Sequence, residues 1–110
     1  MAIKSIVFEG PSLEVLREWP ERAKKVAGHQ LDRVQRGLEP DDWKPMQAVG
    51  ASVREIRIAT GVGAFRVIYV QIIGDTVHVL HCFQKKSQRT PKPDIDLARR
   101  RFKALDNRKR

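Results

Sequence analysis

The chain has 110 residues, of which 41% are hydrophobic, and 22 Lys and Arg against 13 Asp and Glu give a formal net charge of +9. That length suits one domain, residues 1–110, and leaves no room for two ordinary ones. The single cysteine, Cys82, excludes an internal disulfide and a zinc site built on several cysteines, and it fits a reducing cytoplasm.

Ile3–Phe8 reads as a short β-branched strand ended by Gly10-Pro11. It is too short, and too soon followed by Glu9, for the apolar centre of a signal peptide. No apolar run in the chain approaches the roughly 18 residues of a membrane span. Ser12 is placed to cap a short helix through Trp19, with Leu13, Leu16 and Trp19 on one side. Pro20 interrupts it and suits the first turn of a second helix. There Ala23, Val26, Ala27, Leu31, Val34 and Leu38 recur every three or four residues as one apolar stripe, and Gly37 marks the end. Residues 38–50 contain two prolines and Asp41-Asp42 and read as a loop, pinned to the core by Trp43 and Met46.

From Ser52 the apolar period changes to two. Val53–Ala59, Phe65–Ile72 and Thr76–Phe83 are three consecutive strands, joined at Gly61-Val62-Gly63 and at Gly74-Asp75 by tight turns. Gln84–Pro93 is a polar, basic loop. Asp94 is then expected to cap a last helix with an apolar seam of Ile95, Ala98, Phe102 and Leu105, frayed at Lys109-Arg110. The predicted fold class is α+β, in the order β-α-α-β-β-β, with a helical hairpin and a C-terminal helix on a small antiparallel sheet.

The charge is lopsided. Residues 1–50 carry 8 Lys and Arg and 8 Asp and Glu, whereas residues 51–110 carry 14 and 5 and so hold the whole net charge. Such asymmetry points to a polyanionic partner, nucleic acid or an acidic protein. The chain has no P-loop, dinucleotide-binding glycine pattern, His-Glu-x-x-His or Gly-x-Ser-x-Gly. His29, His78 and His81 show no carboxylate company in sequence, so no metal site and no cofactor are expected. What remains is cationic chemistry on a sheet. Glu55 and Arg57 share one face of their strand; Arg66 shares a face with Ile68 and Val70, with Tyr69 opposite. Phe83, Lys85, Lys86, Gln88 and Arg89 leave the third strand together. Arginine can bind a phosphate through paired hydrogen bonds and lysine acts as a mobile point charge; Tyr69 and Phe83 could stack on unpaired bases. The plainer alternatives are an ion pair for Glu55 and Arg57, core positions for Tyr69 and Phe83, a half-buried His81, and a solvated helix face for Arg99–Arg101.

The ordered set Glu55-Ile56-Arg57, Arg66-Val67-Ile68-Tyr69, Leu80 through Pro91, and Ile95 to Arg101 with Ala98 resembles the phage-derived, HigB-type branch of the RelE/ParE toxin superfamily over residues 50–105. The sequence departs from that pattern at Arg54 and Cys82. The resemblance implies a RelE-like sheet with a basic concave site, a helix-turn-helix antitoxin of the HigA type as partner, and cleavage of messenger RNA on the translating ribosome without a metal. Arg57, Arg66, Lys85 and Lys86 match the family's site, with Tyr69 and Phe83 as aromatic neighbours. In that scheme Arg57 and Arg66 stabilise phosphate, Lys85 or Lys86 is base or electrostatic partner, and His81 or Tyr69 is the acid. Arg54, Phe83, Gln88 and Arg89 are expected to contact RNA. Two alternatives stay open: a ParE-like toxin that binds DNA gyrase, and a nucleic-acid-binding module without catalysis.

Overall fold

A computed structural model describes residues 3–71 and 75–108; Ile72, Gly74 and Lys109-Arg110, on which parts of the sequence reading fall, lie outside them. In chain order the elements are β1 (Ser5–Phe8), α1 (Ser12–Arg17), α2 (Glu21–Gln35), β2 (Trp43–Pro45), β3 (Val53–Thr60), β4 (Gly63–Val70), β5 (Thr76–Lys85) and α3 (Lys92–Arg108). The strands form one sheet ordered β1-β5-β4-β3-β2.

The expected meander is present as β3, β4 and β5, but the sheet is mixed rather than antiparallel throughout. β1 runs parallel to β5, pairing Ser5 with Thr76 and Phe8 with Val79. No hairpin joins β1 to its neighbour, so nothing local reverses its direction. The second correction is β2, which lies where a loop was expected. Trp43, Lys44 and Pro45 pair with Ile56, Glu55 and Arg54. This is an outer strand, where a proline is tolerated and, with a lysine, blunts the edge.

The helices also depart from expectation at their ends. Ser12 is not a cap: its hydroxyl is buried and donates to the Val79 carbonyl at 3.3 Å, tying α1 to β5. Gly37, at φ +83°, ends α2 as expected. The Leu38 and Gly37 amides return to the Arg33 and Val34 carbonyls at 2.9 and 3.0 Å, the pairing a left-handed residue allows. α3 begins at Lys92, ahead of Asp94, so Asp94 is free to use its carboxylate elsewhere.

Both faces of the sheet are covered, which is why β4 is buried from Phe65 to Val70. On one face Leu16, Trp19, Ala23, Ala27, Leu31 and Val34 of the helical hairpin meet Ile56, Ile58, Phe65, Val67 and Tyr69. On the other, Ala98 and Leu105 of α3 meet Val53, Ile68, Val70, Leu80 and Phe83. A bulge sets which β5 side chains face α3. Ile68 pairs with His81 but Tyr69 pairs with Val79, leaving Leu80 as the extra residue. The Leu80 carbonyl freed by the bulge accepts from Arg101 at 2.8 Å. Arg99 likewise donates to the Ala48 carbonyl at 2.9 and 2.6 Å, and Arg108 to Glu9 at 2.7 Å. Three arginines of α3 therefore anchor the helix and do not form a free cationic face.

The loop before β3 packs closely under α3: a Cβ on Gly50 would lie 2.3–2.9 Å from three atoms of the Phe102 ring. Gly50→Ala is expected to cost about 1–3 kcal/mol through overpacking, read as a lower urea midpoint with an unchanged slope. No described helix is long and apolar enough to cross a membrane.

Candidate functional site

Strand alternation and the bulge bring the second half's cations to the α3-facing side of the sheet, beyond the end of the helix packing. Arg57 and Arg66 are direct cross-strand partners. Like charges opposite one another weaken a sheet, so this pair is held by counter-charges: Arg57 Nε lies 4.0 Å from Asp42 and Arg66 Nε 3.7 Å from Glu55. On the next strand Lys85 pairs with Ala64, and the chain then turns out through Lys86, Ser87 and Gln88. Arg57, Ala64, Arg66, Lys85, Lys86, Ser87 and Gln88 line one open depression of about 490 Å³.

Within it the groups differ in exposure and in electrostatics. Arg66 is 7% exposed, and its Nη1 donates to the Phe65 carbonyl at 2.9 Å. Burial pulls its proton affinity down and Glu55 pushes it back up; an arginine stays charged regardless. The Lys85 ammonium is held below its ordinary value, first by loss of water. Repulsion from Arg66, and then from Lys44 and Arg57, adds to this, with Glu55 opposing. A lysine so placed can exchange a proton nearer neutrality than a free one.

Under the depression lies a residue whose part the sequence did not disclose. Glu55 is completely buried. Its Oε2 accepts from the Thr90 hydroxyl at 2.9 Å, and its Oε1 faces Arg66 Nε and Lys44 Nζ at 3.7 and 3.8 Å. Sequence alternation placed Glu55 beside Arg57, but the inward position of that face could not be seen without α3 and the 86–91 segment. Nothing in the sequence singled out Thr90 or Lys44.

Other expected site residues are elsewhere. Tyr69 is 1% exposed in the core under the helical hairpin, on the face opposite Arg66. Burial raises its pKa and a bond from Arg54 opposes that. Arg54 lies with its guanidinium 4.0 Å above the Trp43 ring and borders a different cleft, with Trp43, Gln47 and Ser52. Phe83 is a buried neighbour of Arg66, packed in the α3-side core. It stacks on His81 at 5.1 Å, and its face is not open to a base. Arg89 is exposed outside the depression, its carbonyl taking a hydrogen bond from Ser87 at 2.7 Å.

Two of the histidines do have carboxylate company. His81 Nε2 is 2.7 Å from Asp94, and His78 Nδ1 is 3.0 Å from Glu9. Burial holds the His81 pKa below its usual value, although Asp94 pulls the other way. Among the described residues no three His, Cys, Asp or Glu side chains gather as a metal site would require. Cys82 is buried and its thiol is pushed up to about 12 by desolvation, which makes it inert at neutral pH.

No curated protein matches the chain. A family model described as "Phage derived protein Gp49-like (DUF891)" matches residues 14–103, from within α1 into the last turns of α3 and across every residue of the depression. The chain belongs to the Gp49-like family of phage-derived, toxin-like proteins, within the RelE/HigB-like toxin superfamily.

Proposed function

We propose that this protein is the toxin of a toxin–antitoxin pair and that it cleaves messenger RNA, without a metal, at the depression formed by Arg57, Arg66, Lys85 and Lys86. The observation that carries this reading is that these four cations, separated by up to 29 positions in sequence, line one concavity. A phosphodiester needs no more than such a set for intramolecular cleavage. Arg57 and Arg66 neutralise the phosphate as charge accumulates on its oxygens. The Lys85 amine, in its neutral form, takes the proton of the RNA 2′-hydroxyl. The 2′-oxygen attacks phosphorus, the bond to the 5′-oxygen breaks, and the Lys86 ammonium supplies the proton that oxygen requires. The products are a 2′,3′-cyclic phosphate and a 5′-hydroxyl. Lys86 replaces Tyr69 and His81 as the acid, because the first is behind the sheet and the second is engaged by Asp94 outside the depression.

The same depression would receive an acidic segment of a helix-turn-helix antitoxin, neutralising the toxin by charge and occlusion. The test is to add the protein to translating ribosomes and, in a parallel reaction with EDTA present, to ribosome-free message, and to map RNA ends. New 5′-hydroxyl ends within the message are expected. Intact message under conditions where the protein still arrests growth would count against the proposal.

A further inference from the structure

We infer that Glu55 is the positioning residue of this site, fixing Arg66 in the sheet and the Lys86-to-Pro91 segment above it through one carboxylate. The inference rests on the nuclease reading and adds a role to it. A fully buried carboxylate is a costly choice where Val53, Ile68 and Val70 fill the same side of the sheet with hydrocarbon. It is retained with two kinds of partner. Arg66 is secured behind the depression at two points, by the Phe65 carbonyl at Nη1 and by Glu55 facing Nε. The Thr90 hydroxyl, 35 residues away in sequence, donates to the other carboxylate oxygen and so ties down the segment that carries Lys86 and Gln88. The strand-borne and loop-borne parts of the depression thus meet on one side chain. Glu55 Oε1 and Arg66 Nε face each other at 3.7 Å, each buried and without a hydrogen bond. At that distance the two charges attract, and with the Phe65 carbonyl at Nη1 they hold the guanidinium in place. Glu55 is not the base: it is enclosed on all sides, and an RNA hydroxyl has no route to it.

The role separates into a charge effect and a tethering effect. Lys85 feels Arg66, Lys44 and Arg57 as repulsion and Glu55 as attraction. Removing the Glu55 charge therefore makes the Lys85 ammonium lose its proton more readily. Glu55→Gln keeps the shape and an acceptor for Thr90. It should lower kcat roughly tenfold or more, as loss of an orienting partner does, and move the rising limb of the pH–rate profile to lower pH. Thr90→Val removes the tether alone. It should raise KM several-fold, leave that limb in place, and be rescued by Thr90→Ser.

Melting curves exclude variants that do not fold, and Thr90→Val, isosteric and partly exposed, keeps the question open should Glu55→Gln fail to fold. If both variants cleave as the unaltered protein does at every pH, the inference falls while the nuclease reading stands. If the unaltered protein cuts no RNA, the nuclease reading falls by itself. Binding of a 2′-O-methyl RNA oligonucleotide then decides: an affinity unchanged by Thr90→Val and Glu55→Gln overturns the positioning role, and a weaker one supports it.

Discussion

Arg66→Ala is expected to reduce RNA cleavage by about 10²–10³-fold, the usual cost of removing one preorganised donor from a developing oxyanion, and to lower the melting temperature, because it leaves the buried Glu55 carboxylate without its guanidinium neighbour. Arg66 is the only cation of the depression that is nearly buried, and it is held by the Phe65 carbonyl and Glu55. It therefore presents its charge without paying for reorganisation when RNA arrives. Arg66→Lys keeps the charge but loses the planar fork, and should recover only part of the activity. The loss has a second signature. Removing a cation beside Lys85 lifts a repulsion, so the Lys85 pKa rises and the rising limb of the pH–rate profile moves to higher pH. Single-turnover rates across pH, with melting curves to verify folding, check both effects. A variant that cleaves at the original rate would remove Arg66 from the site.

Lys85→Ala should cost about 10²–10⁴-fold, the range for loss of a positioned base. The expected pH dependence follows from which form is active. The neutral amine accepts the 2′-hydroxyl proton, so the rate climbs as pH rises through the Lys85 pKa. Because partial desolvation and Arg66 depress that pKa, the limb should lie below the ordinary lysine range. Lys85→Arg separates charge from proton transfer, since arginine keeps the cation but does not give up its proton. It should bind RNA about as well and cleave as poorly as Lys85→Ala. Activity retained in Lys85→Arg would make Lys85 an electrostatic partner and move the base elsewhere.

The parts of this arrangement that sequence could reach are those governed by local periodicity. Alternation of two located β3, β4 and β5, and it assigned Arg66 and Tyr69 to opposite faces. That same alternation already spoke against Tyr69 as a partner of Arg66, and the 1% exposure of Tyr69 beneath the hairpin agrees with it. Elsewhere, what decided the outcome was not local. The direction of β1 depends on its pairing with a strand seventy residues away. β2 is held by backbone pairing to β3 and carries only three residues with a proline among them, so neither propensity nor period marks it. The bulge at Leu80 turns both Leu80 and His81 toward α3, which alternation alone cannot give. Phe83 read as an aromatic at the site's mouth became core because α3 covers it. Glu55 read as an ion partner of the strand, and only the fold reveals that Thr90 reaches it from above. Alternation put Arg57 with Glu55 and Arg66 with Ile68 and Val70, but the register that sets Arg57 opposite Arg66 came only with the fold. So did the burial of the carboxylate beneath them.

The claim on which the account turns is that Arg57, Arg66, Lys85 and Lys86 hold a phosphodiester between them. The most direct measurement is NMR mapping of a short 2′-O-methyl RNA, which cannot be cleaved, onto the isotope-labelled protein. The largest shifts are expected on Arg57, Arg66, Lys85, Lys86 and Gln88. Arg57→Ala should flatten the slope of log affinity against log salt by about 0.7, one single-strand phosphate contact. Shifts centred on Trp43 and Arg54, or on the outer face of α3, with the depression undisturbed, would contradict the claim.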